Sequence, residues 1–318
     1  MQRDEVCKVF FEDNERVADI LNMYTGEYKV SADDIQEVNS GLILKIRETL
    51  GWRSVSKIRD IVRKVAFGTT FVIADIEPQD SIDYSYPLRD LCYIYGEYEK
   101  QARTIRRHIR KHHKGLSTGE ILYSFTRDSR LNPTVILLLY SGEKEWDGPT
   151  ELWQMLNTND IPDNLKKMIM NHKIHMIDIR RLSDEVINGF ETDISKVFKS
   201  IICSSDKNSF NQLISTDEYF TDMAEDAFDL VSAYININKP INKDTIRNQN
   251  GGYNMCKAID DMMKDSFDAG ISQGISQGKE IVLLALISQG TISIENAAEQ
   301  MNMSPQEFAG KYHCKIDK

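Results

Sequence analysis

Apolar positions along the chain change period several times, and each change marks an element. Residues 4–22 are apolar at Val6, Val9, Phe10, Val17, Ile20 and Leu21, the spacing of a helix with one buried stripe. Residues 38–46, 57–65 and 69–79 are short apolar runs separated by turn formers, which predicts three successive strands. A helical pattern over 87–114 follows, and then the continuous run TVILLLYS (134–141), typical of a strand buried on both faces. Residues 172–179 extend the sheet by one more strand. From Ser183 onward, around 185–202, 210–213 and 220–236, the pattern is helical. The order helix, three strands, helix, strand is compatible with an α/β fold with a mixed-sheet core and a helical C-terminal extension.

The Asn-rich stretch 236–254 reads as a linker, and a helix from Met255 leads into GISQGISQG. Gly270, Gly274 and Gly278 recur every four residues and share one helix face. Each weakens a helix by about 1 kcal/mol relative to alanine, so this element needs a partner surface, and a homo-oligomer through it is expected. Helices over 281–289, 294–301 and from Pro305 close the chain. The last opens with Ser304-Pro305-Gln306-Glu307, in which Ser304 is placed as cap and Glu307 for a capping box. The pattern resembles a helix-turn-helix whose final helix carries Lys311 and Lys315, and it suits packing or oligomerisation as well as DNA reading. Three units are therefore expected: 1–205 around the sheet, 206–265 as helical extension and linker, and 266–318 as a small helical region.

Candidate chemistry concentrates in RDIVRKVAFGTTFVIADIEPQDSIDYSYPLR (59–89). Alternation along a strand puts Glu77 and Gln79 on one face, with Asp75 two residues behind them. If the runs on either side of Gly68 pair as a hairpin, Asp60 lies beside this strand end. A divalent cation would then find two carboxylates, Asp60 and Glu77, and the Pro78 carbonyl. Mg2+ prefers such hard oxygen ligands. An ordinary hairpin with polar residues at its strand ends has the same spacing, and spacing alone leaves both readings open.

Asp60, Glu77, Gln79, Pro87, Arg89 and Tyr93 together form D, a spacer, hydrophobic-E-x-Q, then P-x-R-x-x-x-Y. This resembles the recombination-promoting nuclease (Rpn) and YhgA-like transposase family, a bacterial branch of the PD-(D/E)XK nuclease superfamily. DNERVADILN (13–22), SGEKEWDGPTELWQML (141–156), DIRRLSDEVINGFETDISKVF (178–198) and GGYNMCKAIDDMM (251–263) are also similar, so the likeness spans nearly the whole chain. It implies a restriction-endonuclease-like core and Mg2+-dependent hydrolysis of DNA, with Mn2+ as an alternative cation. Asp60, Glu77 and Gln79 would be the catalytic residues, and Asp60, Glu77 and Pro78 the metal ligands. Arg89, Tyr93 and Asp75 would support them. The superfamily's lysine is replaced by Gln79, the residue this family has there. The alternative is a DNA-binding or assembly protein with a vestigial site.

The net charge of −10 opposes a polyanionic substrate, but its distribution does not. KQARTIRRHIRKHHK (100–114) carries Lys100, Arg103, Arg106, Arg107, Arg110, Lys111 and Lys114 with no acid among them. On a helix, Arg103, Arg107, Arg110 and Lys114 form a basic stripe suited to DNA, or a solvated face. Leu88, Leu91, Cys92, Tyr95, Ala102, Ile105 and Ile109 form the stripe suited to the core. The five cysteines are scattered without a C-x-x-C pair, as for reduced thiols in a cytoplasmic protein. The N-terminus lacks signal-peptide order, and no apolar run reaches membrane-spanning length. No phosphate loop, nucleophile elbow or H-E-x-x-H is present. His172 and His175 flank an apolar run without further ligand spacing.

Overall fold

A computed structural model describes residues 3–38, 41–48, 51–58, 61–68, 70–235 and 242–312. Two helices, α1 (Arg3–Phe10) and α2 (Asn14–Asn22), stand where the sequence predicts one. The chain turns just past Phe10, with Phe11 still fully buried, and Asp13 restarts the helix by accepting from Glu15 N. The strand β1 (Ile35–Glu37) follows. Next come β2 (Gly41–Glu48) and β3 (Gly51–Ile58), which pair with each other as a separate antiparallel hairpin. The expected first strand over 38–46 thus belongs to this hairpin, and the expected second, over 57–65, is divided between β3 and β4 (Ile61–Phe67). Asp60, between those two strands, lies outside the described residues.

β4 turns at Gly68, whose φ of +61° suits glycine, into β5 (Thr70–Gln79). α3 (Tyr86–Lys111) and α4 (Thr118–Tyr123) then lead to β6 (Thr134–Tyr140). A short α5 (Asp163–Lys166) precedes β7 (His175–Asp178). The five-stranded sheet runs β1-β4-β5-β6-β7. β1, β4 and β5 pair antiparallel, whereas β5, β6 and β7 pair parallel, which requires crossover connections such as α3.

The sheet has two covered faces. Ala74 and Ile76 of β5, with Leu137 and Leu139 of β6, join the main core. α1, α2, α7 (Ile194–Cys203), α8 (Lys207–Thr216), α9 (Glu225–Tyr234) and the start of α11 (Met255–Ser288) complete that core. On the opposite face Ile136 packs on Tyr93, and Leu138 and Tyr140 pack with Tyr86 and Trp146. Trp146 meets the rings of Tyr140 at 5.1 Å and Tyr86 at 6.2 Å, edge to face. Gly142 keeps that turn free of a side chain, since a Cβ there would lie 2.2 Å from the Tyr140 hydroxyl.

Three C-terminal expectations change. The helix over 185–202 is two, α6 (Asp184–Asn188) and α7. The described part of the expected linker is structured: α10 (Lys243–Ile246) lies within it, and Tyr253 bridges to both Met223 and Arg247. The helix over 281–289 is the end of α11, which continues unbroken from Met255. α12 (Ile294–Gln300) and α13 (Pro305–Tyr312) fold against that end through Ala297, Ala298 and Phe308, and the Ser304–Glu307 capping box forms as expected. No helix among the described residues is long and apolar enough to cross a membrane.

Arg16 ties the N-terminal helices to the rest. Its guanidinium donates to Asp193 at 2.7 and 2.9 Å, to Asp226, and to the Phe10 carbonyl at 2.8 Å, while lying 3.9 Å over the Phe10 ring. Removing one partner from such a buried cluster leaves uncompensated charge. Arg16→Met is expected to lower unfolding free energy by about 3–5 kcal/mol, read as a shift of the urea midpoint; a shift under about 1 kcal/mol would show the cluster to be incidental.

Candidate active site

β5 is the strand on which the candidate site is built. Asp75, Glu77 and Gln79 share the face turned toward α3, and their partners on β6 are Ile136, Leu138 and Tyr140. Asp75 is 0% and Glu77 5% exposed. Pro78, next to last in β5, is buried opposite Leu139, and its missing N–H is tolerated near the strand end. The described ladder with β4 ends at Ile61 opposite Ile76, the residue before Glu77. Three or more His, Cys, Asp or Glu residues do not gather into a metal site among the described residues.

Gln79 is held on both sides of its amide. Its Oε1 accepts from Arg89 Nη2 at 2.8 Å and its Nε2 donates to Ser81 Oγ at 3.2 Å. Arg89 also pairs with Asp83 at 3.0 Å and lies 4.6 Å over the Tyr86 ring. One N–H and one lone pair of the Gln79 amide remain for another partner. Tyr93, one turn beyond Arg89, is buried against Ile136.

The buried face of α3 includes Ala102 and Ile109 as expected but differs from the expected stripe in its first half. Leu88 and Tyr95 are exposed, and Tyr86, Asp90, Tyr93 and Glu97 are buried. These four recur at intervals of four, three and four, a helical stripe in which two members are acids. Asp90, 1% exposed, meets His172 Nε2 at 2.7 Å; Glu97, 4% exposed, accepts from Gln101 at 3.3 Å and pairs with Lys100 at 3.6 Å. Burial, and then the charges of Glu77 and Asp90, push the Tyr86 phenol far above its ordinary value, so it remains protonated. Sequence reasoning missed Tyr86, Asp90, Glu97 and the role of His172 as a carboxylate partner. Their spacing was available, but acids were not counted as core positions.

The basic run is partly neutralised. Glu99, outside the acid-free window, bonds both Arg103 and Arg106 at 3.1 Å, and Arg110 donates to Ser124 at 3.3 Å. Arg107 and Lys111 make no ion pair among the described residues. α3 ends at Lys111, so Lys114 is not on the helical stripe. Arg103, Arg106, Arg107, Arg110 and Lys111 line a surface groove of about 450 Å³.

Residues 120–226, about a third of the chain, match the family model described as "Putative transposase, YhgA-like". Over that segment the chain is similar to the YhgA-like family. The YhgA-like segment contains β6, β7 and His172, and so the strand that pairs with β5; Glu77, Gln79 and α3 precede it. No curated protein and no solved structure matches the chain.

Burial raises the Asp90 carboxyl above its ordinary 3.8, and the His172 bond offsets this only in part. A raised folded value means that the folded state holds the proton more tightly than the unfolded one. The associated stability is present below 3.8 and is lost as pH rises through the folded value. Asp90→Asn removes this dependence, so the wild type is expected to gain stability relative to the variant as pH falls from about 6 to about 4. Urea midpoints across that range check it, and a constant difference would contradict it.

Proposed function

We propose that this chain is a metal-dependent DNA endonuclease acting at the C-terminal end of β5. The carrying observation is one of register. Ile61 pairs with Ile76, the residue before buried Glu77, and Asp60 immediately precedes Ile61 in the chain. An antiparallel β4–β5 step followed by a helix and the parallel strand β6 supports a restriction-endonuclease-like core, and the YhgA-like segment supports DNA as the substrate.

The donors fit a hard cation. Asp60, Glu77 and the Pro78 carbonyl would hold Mg2+ or Mn2+, with oxygen the only ligand type. When bound, the cation supplies Lewis acidity toward a phosphodiester oxygen. The protein does the rest. Arg89 and Ser81 fix the Gln79 amide, whose remaining N–H and lone pair orient the attacking water. Tyr86 and Trp146 close the floor against bulk solvent. The groove around Arg107 and Lys111 holds the backbone of the DNA. A second reading, a DNA-binding or assembly protein with a vestigial site, is favoured by α11. Residues 263–279 are exposed on every side, including Phe267, Ile271 and Ile275 beside Gly270, Gly274 and Gly278, a surface suited to a second copy.

Cleavage of supercoiled plasmid separates the two readings. Cutting is expected to require Mg2+ or Mn2+, to disappear in Asp60→Ala and Glu77→Ala proteins that remain folded, and to slow by about a hundredfold in Gln79→Ala. Undiminished cutting in excess EDTA, or by folded Glu77→Ala, would refute the nuclease reading.

For DNA binding, Arg107→Glu with Lys111→Glu should weaken affinity across sequences. The slope of log affinity against log salt should fall by about 0.9 for each phosphate that the variant no longer neutralises. Wild-type affinity and slope in this double variant would make the groove a solvated face only.

A further inference from the structure

A second cleft, of about 1140 Å³, opens between the first half of α3 and the starts of β6 and β7. Its walls are mainly apolar and aromatic, with Leu88 and Tyr95 among them, and Tyr95 is 60% exposed. At one edge stands Arg89, the side chain that also clamps Gln79. Within it lie Asp90 and Thr134. Asp90 Oδ2 is held by His172, but Asp90 Oδ1 and Thr134 Oγ1 are buried without a hydrogen-bond partner among the described residues.

We propose that this cleft receives a nucleobase turned out of the DNA strand whose phosphate lies at the β5 strand end. The inference rests on the hydrolytic reading of that site. An apolar occupant would leave the Asp90 and Thr134 oxygens unsatisfied. A phosphate would be repelled by the buried carboxylate, so the phosphate stays at the Arg89 edge and the uncharged part of the nucleotide enters. That part must be flat enough to lie against Tyr95 and must offer N–H groups to Asp90, which describes a base edge. Because Arg89 touches both places, one nucleotide can present its backbone to Gln79 and its base to Asp90.

Binding of dGMP, dAMP, dCMP and dTMP to the full chain, followed by ligand-observed NMR without metal, tests this, with 2-deoxyribose 5-phosphate and inorganic phosphate as base-free controls. The nucleotides are expected to bind at least about tenfold more tightly than either control, and Tyr95→Ala, at an exposed position that leaves the core intact, to remove about tenfold of that. Asp90→Asn should weaken binding as well. Equal binding of 2-deoxyribose 5-phosphate, or wild-type affinity in Tyr95→Ala, would overturn the proposal. Nucleotide binding with this variant pattern in a protein that cuts no plasmid would support the cleft and defeat the nuclease reading alone.

Discussion

The fold is organised around a central strand that carries carboxylates into its interior. β5 is flanked by β4 and β6 and covered on both faces, yet one face bears Asp75 and Glu77, both buried. Ionised carboxylates in such a place are costly unless hydrogen bonds or cations compensate them. The helix above cannot therefore be purely apolar. Its inward stripe adds Asp90 and Glu97, while Arg89, Lys100, Gln101 and His172 bring donors to its flanks. Aromatic rings fill what remains, with Tyr86, Tyr93, Tyr140 and Trp146 providing apolar area around polar groups. The opposite face of the sheet packs on the main core, where the buried charges sit at its border, Arg63 against the α1–α2 turn and Arg16 with Asp193 and Asp226.

This division explains what the sequence disclosed. β6 was legible because a run buried on both faces is apolar throughout, and β5 because alternation and the E-P-Q triplet mark both its face and its end. The α3 boundaries followed from Pro87 and the basic last turn. Its orientation did not: treating Leu88 and Tyr95 as core, and acids as surface, turns the helix away from its true inward stripe. The β2–β3 hairpin was missed because the run 57–65 reads as one strand where the chain forms two. The break between α1 and α2 was hidden because apolar residues keep helical spacing on both sides of Asp13, the residue that caps α2. Asp60 was named from spacing and lies outside the described residues, so the register of β4 with β5 is what bears on it.

The charge balance resolves in the same physical terms. A chain of net charge −10 can still present a basic groove, because many of its acids are engaged inside the protein or at helix starts rather than spread beside α3. Glu99 limits that groove, tying Arg103 and Arg106 to the helix. Arg107 and Lys111, one turn apart near the helix end, make no ion pair among the described residues. Of the two C-terminal lysines that suggested DNA reading, Lys311 pairs with Glu280 at 2.9 Å and fastens α13 to α11, and Lys315 lies outside the described residues.

At the β5 strand end the neutral amide of Gln79 stands directly beside a cation. A lysine at 79 would bring its ammonium to the strand end directly. Here an amide occupies the position, and the guanidinium of Arg89 lies 2.8 Å behind its oxygen. Polarised by that cation, the amide N–H becomes a better donor than an isolated glutamine would offer. Asp83 draws part of the Arg89 charge away at 3.0 Å, so the balance between Gln79 and Asp83 sets how much positive potential reaches the strand end. The positive charge nearest the Gln79 amide thus comes from the first turn of α3, and the same side chain also borders the second cleft.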